Sequence, residues 1–159
     1  MKNDLSGRTV VITGGTSGIG LAAAKLFLQH GANVAICGRD KERLKIAMTD
    51  IQNIFGDENF LGATCDVLDK SQIRGFSEAV IKNFGGVDTL VNNAGQARLS
   101  TFETTDDDAW KEELELKFFS IIYPSKGFQT YLEKSGSGSI VCVSSLLSRQ
   151  PEPKLVATA

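Results

Sequence analysis

The sequence predicts a three-layer α/β fold, a doubly wound parallel sheet with helices on both faces, in one domain spanning residues 1–159. Short runs of β-branched residues alternate with longer segments whose apolar residues repeat about every 3.6 positions. A glycine-rich turn joins the first run to the first helical segment. The 159 residues are 42% hydrophobic and 23% charged, which is typical of a globular domain.

The first half of the chain shows this alternation twice. A strand is predicted at 9–12, followed by the glycine-rich turn and a helix that ends at Gly31. A second strand is predicted at 34–37. Asp40 is the expected N-cap of the next helix, which ends at Gly56.

The next unit repeats the pattern. A third strand is predicted at 60–65, and Ser71 is the expected cap of a helix that ends at Gly85. The fourth strand, at 89–91, follows directly.

A long helix and a fifth strand complete the pattern. Thr104 or Thr105 is the expected N-cap, and the acidic run 106–108 suits the positive end of the helix dipole. The helix is predicted to reach about Glu133, and strand five to span 139–144. Too few residues follow for another strand and helix, so we expect a domain that is incomplete at its C-terminus.

Charge and hydropathy exclude several function classes. The net charge is −2 and the pI is near 5.4, which gives no basic surface for nucleic acid. The longest apolar runs fall short of the roughly 20 residues of a membrane span, and the N-terminus lacks the apolar region of a signal peptide. We therefore expect a soluble, cytoplasmic protein with no nucleic-acid or membrane partner.

The cysteines and the single histidine argue against a metal site. Cys37, Cys65 and Cys142 lack CxxC spacing, and each lies in or beside a predicted strand, where a small buried thiol is the ordinary occupant. His30 is the only histidine, which excludes a multi-histidine centre. We predict no metal and no disulfide.

The glycine turn reads Thr-Gly-Gly-Thr-Ser-Gly-Ile-Gly over 13–20. Residues without Cβ can adopt positive φ and bring backbone N–H groups to an anion at the helix N-terminus, where a pyrophosphate is the natural ligand. The alternative is a tight strand-to-helix turn with no ligand. Its place after the first strand favours a nucleotide.

Four motifs then occur in order, each where a strand ends. They are the glycine turn, Asp66-Val67, the sequence Asn-Asn-Ala-Gly at 92–95, and Val-Ser-Ser at 143–145. In this ordered set the chain resembles the short-chain dehydrogenase/reductase family. The resemblance implies a Rossmann-type sheet of strand order 3-2-1-4-5, with the last strands missing, and a dinucleotide across the strand ends.

The resemblance also implies which residues bind that dinucleotide. Residues of the glycine turn would lie near the pyrophosphate, the pair after strand three at the adenine, and the motif after strand four beside a ribose. With the residue that reads the second ribose, the predicted cofactor-binding set is Gly14, Thr16, Ser17, Gly18, Ile19, Gly20, Arg39, Asp66, Val67, Asn93, Ala94 and Gly95.

Two of these motifs have a purely structural alternative. Asp66 could terminate its strand as a turn residue. Asn92 and Asn93 could brace a turn through hydrogen bonds from side chain to backbone.

The end of strand two predicts the coenzyme. The resemblance implies that family members that use NAD carry Asp at the position of Gly38. In this sequence Arg39 follows that glycine. A carboxylate there accepts from a ribose 2′-hydroxyl, whereas a guanidinium binds a 2′-phosphate in bidentate fashion. We predict NADP(H), with NAD(H) as the weaker alternative. Asp40 could serve NAD(H) if the turn shifts, or could simply cap the next helix.

The catalytic pattern fits the family only in part. The resemblance implies hydride transfer between nicotinamide and a carbonyl or alcohol carbon, with a Ser that holds the substrate oxygen, and Ser145 fits this role; it could instead satisfy its own strand end. The family's Tyr position falls at Thr158 by spacing. The alternative is a loop of different length, which would place the Tyr just past Ala159. Neither Tyr123 nor Tyr131 is followed four residues later by Lys. An aliphatic hydroxyl offers no accessible proton near neutral pH.

Lys117 occupies the position at which the family carries Asn, seven residues after Trp110. Helical spacing places it on one stripe with Trp110, Leu114, Ile121 and Pro124, so we predict a cation on an otherwise apolar face. Lys117 is a candidate proton donor or substrate anchor. The alternative is that its ammonium reaches water while its stem packs.

The leading hypothesis is an NADP(H)-dependent oxidoreductase of the short-chain type, acting on a small carbonyl or alcohol through Ser145 and Lys117. The second is a dinucleotide-binding protein with atypical or no catalysis, acting as a sensor or subunit partner. An S-adenosylmethionine methyltransferase, the third, would require an acidic residue in place of Gly38. The family resemblance also implies a homo-oligomer. Separately, the aromatic residues Phe118, Phe119 and Tyr123 are predicted to be core or subunit contacts and not a substrate box.

Overall fold

The structure is a computed structural model, and it describes residues 4–156. Five strands and four helices alternate along the chain: β1 Thr9–Thr13, α1 Gly18–Gln29, β2 Asn33–Gly38, α2 Lys41–Phe55, β3 Phe60–Thr64, α3 Lys70–Phe84, β4 Thr89–Asn92, α4 Asp107–Lys134 and β5 Ser139–Cys142. A single 3-10 turn, Leu146–Ser148, follows β5.

The five strands form one parallel sheet in the order β3-β2-β1-β4-β5. The predicted α/β class, its doubly wound topology and its strand order are therefore confirmed. Because the strands are parallel, their carboxyl ends share one edge, and the loops that carry the predicted motifs meet there.

Two apolar cores, one on each face of the sheet, make the fold three-layered. Alternate residues of β1 point to opposite faces, so that Val10 and Ile12 join the core under α1 and α2, whereas Val11 joins the core under α3 and α4. Phe76 of α3 meets Phe128 of α4 edge to face in the second core. The cores fix the strand ends rigidly against the helices that follow them.

Three helices begin at an aspartate. Asp40 caps α2 by accepting from the backbone N–H groups of Glu42 and Arg43, as predicted. The predicted caps of the other two were wrong: Asp69, not Ser71, caps α3, and Asp106, not Thr104 or Thr105, caps α4. The Asp69 carboxylate accepts from the backbone N–H groups of Ser71 and Gln72, and the Asp106 carboxylate accepts from that of Ala109, so each aspartate satisfies the first turn of its helix.

Strand β5 differs from its neighbours. It ends at Cys142, two residues before the predicted end, and all of its residues are exposed. Only β4 pairs with it within residues 4–156, so its outer edge has no neighbouring strand there. Cys142 is consequently exposed, contrary to the prediction, whereas Cys37 and Cys65 are buried.

Within residues 4–156, no helix has both the length and the apolar character that a membrane span requires.

Candidate functional site

The glycine turn between β1 and α1 is packed against the loop that follows β4. Gly14 has a φ of +66°, and a Cβ there would lie 2.8 Å from the Cα of Ala94. A Cβ on Gly20 would lie 2.5 Å from Nδ2 of Asn93. Both positions therefore require glycine, Gly14 for its conformation and its contact and Gly20 for its contact alone.

Hydrogen bonds fasten these two loops together. The Asn93 side chain donates from Nδ2 to the carbonyl oxygens of Thr13 and Gly14, at 3.0 Å each. The buried Thr13 hydroxyl accepts from the backbone N–H groups of Asn93 and Ala94, at 3.0 and 3.1 Å. Asn93 therefore braces the glycine turn, which is the structural role that the sequence left open for it. The loop that carries Asn93 lies at the carboxyl ends of the strands.

The start of α1 is built differently from the starts of the other helices. Ser17 is its N-cap residue, but the Ser17 side chain makes no capping hydrogen bond, and the first turn holds no acidic residue. Gly18 has a φ of +53°, and a Cβ there would meet nothing within 4 Å. The first-turn N–H groups and the positive end of the helix dipole consequently face open space, which suits an anion.

A cavity of about 580 Å³ lies over this helix start, at the carboxyl ends of the strands. It is lined by Gly14, Thr16, Ser17, Ile19, Gly38, Arg39, Asp40, Arg43, Cys65, Asp66, Val67, Asn93, Ala94, Gly95, Gln96 and Leu116. Every predicted cofactor-binding residue is in this lining except Gly18 and Gly20. Ile19 exposes 68% of its surface beside the turn, although it is apolar.

One end of the cavity is formed by the end of β2. A Cβ on Gly38 would lie 2.7 Å from Cγ2 of Thr16, so the Thr16 side chain fills the space that any side chain at this position would need. Asp40 is engaged as the cap of α2 and lies 3.4 Å from Nε of Arg43. Arg39 is exposed beside it. This end of the cavity therefore presents the guanidinium groups of Arg39 and Arg43, whereas its one carboxylate, that of Asp40, is bound to the start of α2.

Another part of the lining follows β3. Asp66 accepts from the backbone N–H of Leu68 through one carboxylate oxygen, at 3.0 Å, which is the turn role weighed above. Beneath it, hydrogen bonding with Cys65 and burial raise the pKa of the Cys37 thiol well above its ordinary value. The same bond lowers the pKa of Cys65. Cys37 is therefore a protonated residue of the buried core, whereas Cys65 lines the cavity.

Lys117 does not lie on an apolar buried face, and that prediction was wrong. Leu114 and Ile121, which share its stripe, are 53% and 36% exposed. The Lys117 side chain is 34% exposed, and its Nζ donates to the backbone oxygen of Gln96 at 2.8 Å. The fully buried charged residue of α4 is instead Glu113, whose Oε2 lies 3.5 Å from the Lys117 ammonium.

Ser145 follows β5 on the same edge of the sheet. It is exposed, and its Oγ accepts from the backbone N–H of Leu147 at 3.2 Å, at the start of the 3-10 turn. Neither Ser145 nor Lys117 is in the cavity lining. Thr158, the residue at the family's Tyr position, lies outside the described residues.

Several residues of the site were not predicted. Thr13 lies in the glycine motif, but its hydroxyl contacts the loop after β4. Thr16 was predicted to bind the coenzyme, but its contact with Gly38 was not predicted. Gln96 directly follows the Asn-Asn-Ala-Gly motif, and its proximity to the motif was the signal available. Glu113 has no sequence signal beyond its position four residues before Lys117, at the helical spacing of an ion pair.

Comparison with known proteins gives one family. A family model described as short chain dehydrogenase matches residues 8–157. A similar curated protein is the 2,5-dichloro-2,5-cyclohexadiene-1,4-diol dehydrogenase of Sphingobium indicum, which is 35% identical over 151 residues, covering 95% of this chain and 60% of the relative. The chain thus spans about three fifths of the length of the curated relatives it matches.

Solved structures agree with this result. The NADPH-bound structure of a short chain oxidoreductase from Pseudomonas aeruginosa, described as containing an atypical catalytic center, superposes with a TM-score of 0.93 at 52% identity, covering 98% of this chain and 60% of that one. The L-sorbose reductase of Gluconobacter frateurii, complexed with NADPH and L-sorbose, superposes with a TM-score of 0.90 at 31% identity, covering 99% and 60%. The fold is that of these chains.

Proposed function

Since this chain belongs to the short chain dehydrogenase family, we propose that its full-length protein is an NADP(H)-dependent oxidoreductase. The reaction is hydride transfer between the nicotinamide ring and the carbon of a small carbonyl or alcohol substrate. When bound, the coenzyme supplies or accepts the hydride. The chain's own residues would bind the coenzyme, orient the substrate and transfer the proton at the substrate oxygen.

The observation that carries this proposal is the uncapped start of α1 beneath the cavity. Ser17 leaves the first-turn N–H groups open, and Gly14 and Gly20 keep side chains out of the space where the turn approaches its neighbours. The fit of the residues to a dinucleotide is therefore steric as well as electrostatic. The pyrophosphate would lie on the amides of Gly18, Ile19 and Gly20.

The choice of NADP(H) over NAD(H) is supported by the end of β2. An acidic acceptor for the ribose 2′-hydroxyl cannot be placed at Gly38 without displacing Thr16. Asp40 is engaged as a helix cap. Arg39 and Arg43 line the same end of the cavity, and a guanidinium binds a phosphate more tightly than it binds a hydroxyl. The NADPH in the similar P. aeruginosa structure agrees with this choice.

Ser145 and Lys117 are the proposed catalytic residues. The Ser145 hydroxyl would hold the substrate oxygen by a hydrogen bond, next to the carbon that exchanges the hydride. The Lys117 ammonium would donate a proton to that oxygen as negative charge develops there, or would anchor the substrate through it. Its present bonds, to the Gln96 carbonyl and to Glu113, keep the ammonium on the loop that follows β4.

An assay of the full-length protein tests the assignment. NADPH consumption is followed with a panel of aldehydes and ketones, for the wild type and for Ser145→Ala and Lys117→Met. We expect each substitution to lower kcat by about a hundredfold and to leave the Kd of NADPH within about twofold. Lys111→Met is the matched control, because Lys111 lies on the same helix and pairs with Asp108 at the surface.

A wild-type rate that survives in both variants would refute the site assignment. The second candidate function, a coenzyme-binding sensor or subunit partner, is favoured by Lys117, which stands at the position where the family carries Asn. It predicts tight NADPH binding with no turnover of any substrate in the panel.

The proposal includes a homo-oligomer. The outer face of α4 exposes several large apolar side chains, which an assembly would cover: Leu114, Phe118, Phe119, Ile121 and Ile122. Phe118 exposes 59% of its surface and Phe119 37%, so neither belongs to the core of the described residues. Light scattering of the full-length protein would give the stoichiometry.

A further inference from the structure

The Gln96 side chain connects Arg39 at the end of β2 with Glu113 of α4. It follows Gly95 and lines the cavity, where its Oε1 accepts from Nη2 of Arg39 at 2.9 Å. Its Nε2 donates to Oε1 of Glu113 at 3.3 Å. One side-chain amide therefore connects the residue proposed to read the coenzyme phosphate with the buried carboxylate of α4.

Glu113 fixes which way this amide points. Its side chain is fully buried, and its carboxylate also lies 3.6 Å from Nε of Arg98 and 3.5 Å from Nζ of Lys117. A carboxylate that faces the cations of Arg98 and Lys117 accepts hydrogen bonds, so it selects the NH₂ group of Gln96. The amide oxygen is then turned toward Arg39, whose guanidinium only donates.

This orientation matters because Arg39 is exposed on a turn. An exposed arginine samples many rotamers, and ordering it when a ligand binds costs affinity. The bond to Gln96 restricts those rotamers beforehand. A guanidinium has five N–H donors, and Gln96 engages one of them, so a bidentate pair remains for a phosphate.

We propose that Gln96 is a specificity-determining residue: seated on Glu113, it holds Arg39 in position to bind the 2′-phosphate of NADP(H). The proposal rests on the proposed function, in which the coenzyme occupies this cavity. It assigns to the residue after the Asn-Asn-Ala-Gly motif a part in choosing between two coenzymes that differ by one phosphate.

Calorimetry on the full-length protein tests the proposal through coenzyme binding alone, independently of turnover. Gln96→Met keeps the length of the side chain and removes both hydrogen bonds. We expect the Kd of NADPH to rise about threefold to tenfold, and that of NADH to change less than about twofold, because NADH has no 2′-phosphate. Gln129→Met is the matched control, since Gln129 is exposed on α4 and donates a hydrogen bond to Glu133.

The combination with Arg39→Ala decides how Gln96 acts. If Gln96 works by positioning Arg39, adding Gln96→Met to Arg39→Ala leaves the Kd of NADPH unchanged. Equal weakening of NADPH and NADH by Gln96→Met, or no weakening of either, would overturn the proposal. Thermal unfolding of each variant identifies any loss caused by misfolding, and Gln96→Leu then provides a second test.

Failure of the proposed function gives a different result. In that case the wild-type protein itself releases no heat with either coenzyme, and the positioning of Arg39 falls with it. If the wild type binds NADPH and Gln96→Met binds both coenzymes as the wild type does, only the inference about Gln96 is lost.

Discussion

Helix α1 differs from α2, α3 and α4 in how the N–H groups of its first turn are satisfied. Each helix leaves its first N–H groups without partners inside the helix. Asp40, Asp69 and Asp106 satisfy those groups with a carboxylate. Ser17 at the start of α1 does not, and no acidic residue stands in the first turn.

The difference teaches where the chain reserves room for an external anion. An internal carboxylate at α1 would stabilise the helix and would repel a phosphate from the same N–H groups. The uncapped start also lies under the cavity and beside Gly14 and Gly20, whose missing side chains shape it. Helix α1 therefore lacks the stability that a capping side chain would add, and it lacks the cap at the position that the proposed ligand would occupy.

The largest expected effect comes from the turn that leads into α1. Gly14→Ala combines a strained positive φ with a Cβ only 2.8 Å from the Ala94 backbone. We expect a loss of about 2–4 kcal/mol in the free energy of unfolding, and loss of NADPH binding, because the loop after β4 must move. Urea unfolding and calorimetry measure the two quantities.

Gly85→Ala provides the control for that loss. Gly85 ends α3 with a φ of +79°, and a Cβ there would meet nothing within 4 Å. Its cost is then the backbone strain alone, about 1 kcal/mol. If both variants lose the same stability, the packing of the two loops at Gly14 contributes nothing.

Converting α1 to the capped type gives the next effect, with opposite signs for stability and binding. Ser17→Asp adds a capping carboxylate, so we expect the free energy of unfolding to rise by about 0.5–1 kcal/mol. The Kd of NADPH should rise at least about tenfold, because the carboxylate competes with the pyrophosphate for the same N–H groups. Ser17→Ala is the control; it removes no capping bond and should change neither quantity as much.

A variant that is more stable and binds NADPH as the wild type does would break the comparison between the two kinds of helix start. The binding curve and the unfolding curve are therefore measured on the same preparation.

The smallest expected effect concerns acid and a capped helix. Hydrogen bonds from the side chains of Ser71 and Gln72, and from their backbone N–H groups, lower the pKa of Asp69 to about 2. Since this pKa lies below the ordinary value of 3.8, Asp69 stabilises the folded state above about pH 4 and loses that contribution as the pH falls toward 2.

Asp69→Asn isolates this contribution, because asparagine caps a helix without titrating. Urea unfolding at pH 5 and at pH 2.5 should show a larger fall in stability for the wild type than for the variant. Equal falls would mean that the cap of α3 does not depend on the charge of Asp69.

The lining of the cavity could be predicted well from local sequence, and the reason is physical. The order of the strands, the glycine turn and the Asp40 cap depend on residues adjacent in sequence, and the motifs meet because parallel strands share one carboxyl edge. The predicted residues from Gly14 to Gly95 line one cavity, apart from Gly18 and Gly20.

Contacts between distant segments were beyond such reasoning. That Thr16 fills the space beside Gly38 depends on the packing of two loops. Periodicity predicted an apolar face of α4 around Lys117, whereas the charged residue that is buried on α4 is Glu113, because the face that a helix buries is set by its packing partners and not by its own periodicity. Ser145 follows β5, all of whose residues are exposed.

The most direct test of the account is a crystal structure of the full-length protein with NADPH. We predict that the pyrophosphate oxygens lie about 3 Å from the backbone nitrogens at the start of α1, around Ile19, with the 2′-phosphate at Arg39. A pyrophosphate bound elsewhere, with those N–H groups facing solvent, would contradict the account.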